Sequence, residues 1–95
     1  MNMHIEFKES FLKRFESQLR FIANDSPKNA LKFKNELLAQ IRLLVSHPLK
    51  CRKSIYFEDE SIRDLVHKGY TIVYRIHENK IEIFGLTKYQ EHIAD

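Results

Sequence analysis

The chain has 95 residues, 43% of them hydrophobic and 31% charged, with a formal net charge of +3. That length supports one domain around one core, residues 1–95, and is too short for two. The composition excludes a fibrous or low-complexity chain, and no stretch is long and apolar enough to span a membrane. The first residues lack the apolar run of a signal peptide, and the lone Cys51 has no partner for an internal disulfide. Both features lead us to expect a cytoplasmic protein. Charge is uneven: residues 1–54 hold eleven Lys/Arg against five Asp/Glu, and residues 55–95 hold five against eight. A basic cluster, Lys50-Cys51-Arg52-Lys53, sits between the two halves. Such a surface suits plain solvation, or steering onto an acidic partner or a nucleic-acid-bearing machine.

In chain order, Met3, Ile5 and Phe7 alternate with polar residues and predict a short first strand. From about Lys8 the spacing changes. Phe11, Leu12, Phe15, Leu19 and Ile22 recur at three- and four-residue steps, the stripe of an amphipathic helix that stops near Asn24-Asp25. Ser26 is a natural N-cap and Pro27 fits the first position of a second helix, where no amide donor is needed. Ala30, Phe33, Leu37, Ile41 and Leu44 form its apolar face, and His47-Pro48 ends it. Ser54–Phe57 suggests a short extended piece before the acidic turn Glu58-Asp59-Glu60.

The run Ile62–Leu86 reads as three antiparallel strands, with turns at Lys68-Gly69 and Glu78-Asn79. Side chains alternate across a strand. One face therefore takes Leu65, Tyr70, Ile72, Tyr74, Ile76, Ile81 and Ile83; the other takes Val66, Thr71, Val73, Arg75, Glu82, Phe84 and Leu86. The predicted order is β-α-α-β-β-β, an α+β fold with a helical hairpin packed on one face of a small antiparallel sheet. Two helices cover only one face. Val66, Val73, Phe84 and Leu86 are then expected as an exposed apolar patch, the mark of a partner site.

Three pieces in this order carry a family likeness. They are Asn24–Ala30 followed by Phe33, the helix end Leu43-Leu44-Val45-Ser46-His47-Pro48, and Ile62-Arg63-Asp64-Leu65 leading through Gly69–Ile76 to the apolar strand Ile81–Leu86. In this succession the chain resembles the RelE/ParE superfamily of type II toxin–antitoxin toxins along nearly its whole length. The resemblance implies a small bacterial toxin of the kind tied to plasmid stabilisation, held by an antitoxin whose disordered tail folds around it. RelE-like members cut mRNA on the ribosome; ParE-like members poison DNA gyrase and are not nucleases.

Cleaving RNA requires cations for the phosphorane and groups to take and return protons. Where the RelE-like branch places basic groups, this chain has Ile62, Asp64, Thr71 and Glu91, so it looks closer to the ParE-like branch. A second arrangement in the superfamily uses arginine, histidine and tyrosine near the end of the chain. Arg75, Lys88, Tyr89 and His92 offer similar types and are the candidates if the chain is a nuclease. Arg75 also lies opposite Glu82, where a cross-strand ion pair would occupy it, and Arg63 lies where it can pack on an aromatic ring. The five histidines (4, 47, 67, 77 and 92) show no metal spacing, no glycine-rich phosphate loop exists, and neither metal nor cofactor is expected.

Two target readings therefore stay open. The first is a gyrase-binding toxin using Arg63, Arg75 and Lys88 toward its target. The second is an mRNA endonuclease acting on the ribosome, alongside a degenerate member that only binds antitoxin. In each the antitoxin lies across Val66, Val73, Phe84 and Leu86, and along the helical hairpin.

Overall fold

The computed structural model describes residues 3–88. Strand β1 (His4–Phe7) turns at Lys8 into helix α1 (Glu9–Asp25), where alternation gives way to helical spacing. Ser26 separates α1 from α2 (Pro27–Arg42) and serves both: its amide donates to Ile22 O at 2.9 Å, and its Oγ accepts from the Asn29 amide at 3.1 Å. Pro27 takes the first helical position, as its missing donor allows. A 3-10 turn over Leu43–Val45 carries α2 toward His47-Pro48.

The sheet runs in the order β1-β5-β4-β3-β2, with β2 (Arg52–Lys53), β3 (Ile62–His67), β4 (Tyr70–His77) and β5 (Lys80–Lys88). The α+β organisation expected from the sequence is the one observed. Strands β2 to β5 are antiparallel neighbours, whereas β1 lies parallel to β5 with Ile5 beside Ile81, so the sheet is mixed. No hairpin links β1 to β5, so nothing in the connection forces them to run in opposite directions. Phe11 and Phe15 from α1, Phe33, Leu37 and Ile41 from α2, and Leu65, Ile72, Tyr74, Ile81 and Ile83 from the sheet make the core. An aromatic chain runs through it, with centroid spacings of 5.2 Å for Phe11–Phe15, 6.3 Å for Phe15–Phe33 and 4.9 Å for Phe33–Tyr70.

Both hairpins turn where the sequence places them. Lys68 (φ 49) and Gly69 (φ 83) each take positive φ, matching the strand twist as primed turns do. In the second turn the positive φ falls on Glu78 (φ 56), a side-chain-bearing residue in a region that favours glycine.

The face assignment needs one correction. The pairing of β4 with β5 slips between Val73 and Tyr74, with Tyr74 opposite Ile83 and Val73 opposite Gly85, so Phe84 is a surplus residue on β5. Such a bulge inverts the alternation beyond it. Leu86 therefore turns to the helix side, where it pairs with Ile72 and lies 6% exposed in the core, although it still borders the groove of Val73 and Phe84. Gly85 fits the bulge because a Cβ there would meet Val73 Cβ at 3.1 Å.

The second sheet face is also less open than two helices alone would leave it. Residues 54–61 form a strap across its β3 end, instead of the extended piece expected at Ser54–Phe57. Asp64, with a fully buried side chain, latches the strap. Its Oδ2 accepts from Arg52 Nη2 at 3.2 Å, from Arg52 Nε at 3.3 Å and from the Ile55 amide at 3.0 Å. At the far end the Ile62 amide donates to Asp59 O at 3.0 Å and the Ile76 amide to Ser61 O at 2.8 Å. Beneath and beside the strap, Ile62 and Val73 are 4% and 6% exposed.

Two substitutions test these assignments. Asp64→Ala leaves Arg52 and the Ile55 amide without their acceptor; we expect a loss of about 2 kcal/mol in urea unfolding, with faster proteolysis at the strap. Glu78→Gly removes the Cβ from a left-handed position, and the same assay should show a gain of roughly 0.5–1 kcal/mol.

Candidate functional site

The bulge and the strap together shape a groove on the second sheet face. Its floor is Val73, Phe84 and Gly85; Tyr56 and Phe57 of the strap form one wall, and Ser10 and Arg14 of α1 the other. The groove is open to solvent and holds about 520 Å³. Phe84 is half-buried, edge-on to Phe57 at 5.8 Å, and its carbonyl accepts from Ser10 Oγ at 2.7 Å. Val73 and Phe84, both expected in an apolar patch, thus meet in one groove. Val66 is on the same face and 47% exposed, yet it stands outside that groove.

Across the end of β5, on the helix side, lies a smaller cleft of about 280 Å³ with a different character. Lys13, Arg14, Ser17 and Gln18 of α1 face Tyr70, Thr87 and Lys88, and no carboxylate of the described residues lines it. Lys88 Nζ lies 5.3 Å from the centroid of the Phe21 ring, a cation–π contact. Burial pushes the Tyr70 phenol up from its ordinary pKa, against a smaller opposing effect of its hydrogen bond with Gln18, so it stays protonated at neutral pH. A third concavity of about 480 Å³ follows the helical hairpin, lined by Phe7, Leu12, Phe15, Leu19 and Leu38.

The cationic candidates do not converge. Arg63 points to the helix side, where its Nη1 donates to Cys51 O at 3.0 Å and ties down the segment after α2, as Tyr74 Oη does through Pro48 O at 2.8 Å. It holds backbone carbonyls rather than an aromatic ring. Burial raises the Tyr74 phenol well above its ordinary pKa, with neighbouring Cys51 adding to the effect. Arg75 is exposed on the opposite face, and its charge reaches Asp59, whose carboxyl is held low chiefly by hydrogen bonds from Ser61. Although Arg75 is opposite Glu82 in register, the ion pair of Glu82 is with Lys80 at 4.0 Å. Lys88 pairs in register with Tyr70, five residues along β4 from Arg75; that is a separation of roughly 17 Å along the strand, with the two side chains on opposite faces. Tyr89 and His92 lie outside the described residues. Among the described residues no group of three His, Cys, Asp or Glu is placed to hold a metal, and no helix is long and apolar enough to cross a membrane.

Two features escaped the sequence reading. Tyr56 and Phe57 have strand-like composition, and nothing local signals that they wrap the sheet as a strap. Arg14 sits on the polar side of an amphipathic stripe and looks like any solvated cation there. Its neighbours could have marked it. Lys13 pairs with Glu9 at 3.7 Å and Arg20 with Glu16 at 3.6 Å, whereas the positions three and four away from Arg14 are Ser10, Phe11, Ser17 and Gln18. The apolar groove of the hairpin, by contrast, lies where the sequence reading expects the antitoxin to run, and Leu12 and Leu38 line it.

The fold has known counterparts. A chain described as belonging to a chromosomal ParDE toxin–antitoxin system from P. aeruginosa superposes with a TM-score of 0.73 at 18% identity, over 90% of this chain and 95% of that one. At that identity the likeness speaks for the fold. Comparison with curated proteins gives no match. Residues 5–91 match the family model described as ParE toxin of type II toxin-antitoxin system, parDE. With that match covering most of its length, the chain belongs to the ParE toxin family of type II toxin–antitoxin systems.

Proposed function

We propose that this protein arrests growth by binding DNA gyrase rather than by cutting RNA, and that a cognate antitoxin neutralises it by covering its apolar grooves. The binding mode of action is supported above all by the separation of Arg75 from Lys88. Phosphoryl-transfer catalysis needs its groups within a few ångströms of one reacting centre. Two cations on opposite faces of a sheet, with Arg63 committed to the carbonyls of Cys51 and Leu49, leave no such centre among the described residues. A toxin that works by occupying a surface needs no convergence of this kind. Family membership supports the toxin role, and the open grooves lined by Phe84 and by Leu12 fit an inhibitor that shields apolar area.

Induced expression discriminates the targets. Filamentation with a DNA-damage response, and inhibition of supercoiling by purified gyrase, are the expected results. Prompt loss of translation with codon-phased mRNA cuts would instead favour the endonuclease, and no effect on growth would favour a degenerate member. For the antitoxin, Phe84→Asp puts a charge into the groove floor while leaving the helix-side core untouched. We expect it to weaken the toxin–antitoxin complex about 30-fold or more in a titration, the scale of an interface hot spot, while melting changes little. Normal binding by a folded Phe84→Asp variant would remove this groove from the interface.

A further inference from the structure

The apolar groove and the cationic cleft lie on the two sides of one strand end, and that strand end has an open edge. Strand β1 pairs with β5 only from Lys80 to Ile83. At Lys8 the chain leaves the sheet and α1 rises over the helix-side face, so among the described residues no strand pairs with the outer edge of Gly85–Lys88. In an antiparallel ladder alternate residues turn their amide and carbonyl away from the partner already bound. The edge therefore offers backbone hydrogen bonds over about 13 Å of strand. Gly85 and Thr87 border the apolar groove, Thr87 and Lys88 border the cleft, and Arg14 and Leu86 line both.

A strand added to this edge would send alternate side chains to opposite faces. One set would enter the groove over Val73, Phe84 and Phe57. The other would enter the cleft among Lys13, Arg14 and Lys88, which has no carboxylate among the described residues. Arg14 stands at the boundary and has no ion-pair partner among the described residues, unlike Lys13 and Arg20 on the same helix.

We propose that the edge Gly85–Lys88 is a slot for an extended acidic peptide segment in which apolar and acidic residues alternate, with Arg14 reading the acidic set. Charge complementarity selects this occupant over a second copy of the chain, whose own edge would bring Arg14 and Lys88 against like charges. The identity of the natural occupant as a segment of the antitoxin rests on the toxin reading above; the slot and its preferred pattern do not.

Fluorescence anisotropy with three labelled peptides tests the slot on the full-length protein. The first alternates Ile and Glu, the second has the same composition in scrambled order, and the third is the alternating peptide N-methylated on every other amide. The first should bind, more weakly as salt rises, and the other two about tenfold or more weakly, because they lose face matching or strand pairing. Arg14→Glu should cost about tenfold, the scale of a charge-assisted contact, whereas Lys28→Glu, an equal charge change on exposed α2, should leave binding unchanged. Equal binding of the scrambled peptide overturns the proposal, as does an equal effect of the two charge reversals. So does a concentration-dependent dimer that Arg14→Glu abolishes. In cells, Arg14→Glu should still arrest growth and should escape neutralisation by co-expressed antitoxin; unchanged neutralisation overturns the antitoxin as occupant. A wild-type chain that fails to arrest growth would strike the toxin reading alone, since peptide binding is measured independently of it.

Discussion

The buried carboxylate of Asp64 governs what this small protein presents to its surroundings. A sheet with helices on one side has a surplus face, and here the strap crosses part of that face because one acidic side chain gathers Arg52 and the Ile55 amide. A carboxylate taken out of water is tolerable only when its lone pairs are used. Asp64 Oδ2 is well supplied, while Oδ1 finds no partner among the described residues. With the latch closed, Phe57 is placed edge-on to Phe84, and the groove acquires a wall. Without the strap the same residues would form a flat apolar patch with little shape to recognise.

The division of labour between the cations follows from the same frame. Arg63 and Tyr74 pin the segment after α2 from the helix side, and Arg52 works from the sheet edge. Lys68 ties the first hairpin to α2 through Glu36 at 2.7 Å. These groups maintain the architecture. Arg14, between α1 and the end of β5, takes part in none of these contacts among the described residues, so the proposed slot lies apart from the groups that hold the fold together.

Much of this was legible in the chain of letters. Ser26-Pro27, the two apolar stripes and both hairpin turns carry local chemistry that holds in any context, and the structure keeps them. The inward set Leu65, Tyr70, Ile72, Tyr74, Ile81 and Ile83 also followed from simple alternation. What failed was long-range. Alternation cannot show that Phe84 is surplus, because the slip depends on Val73 packing against the bare Cα of Gly85, twelve residues away. The expected apolar patch is accordingly reshaped: Val73 and Phe84 share a groove that Leu86 borders from the core, and Val66 stands aside. The strap was invisible for a similar reason, since Ile55-Tyr56-Phe57 has strand composition and only Asp64, reached through the fold, explains its path. Arg14 needed both the helix and the strand end in place before its isolation had meaning.

The surplus residue also sets how such a surface can diversify. Upstream of Phe84 the odd-numbered positions of β5 face inward; downstream the even-numbered ones do. Point changes alter which side chain occupies a given side, but they leave this phase intact. Loss of the surplus residue would restore plain alternation, with Ile83 inward, Gly85 outward and Leu86 inward, so the strand end keeps its pairing while the groove loses the ring on its floor. In this scaffold, a one-codon deletion thus reshapes the groove floor while leaving the core behind it in phase.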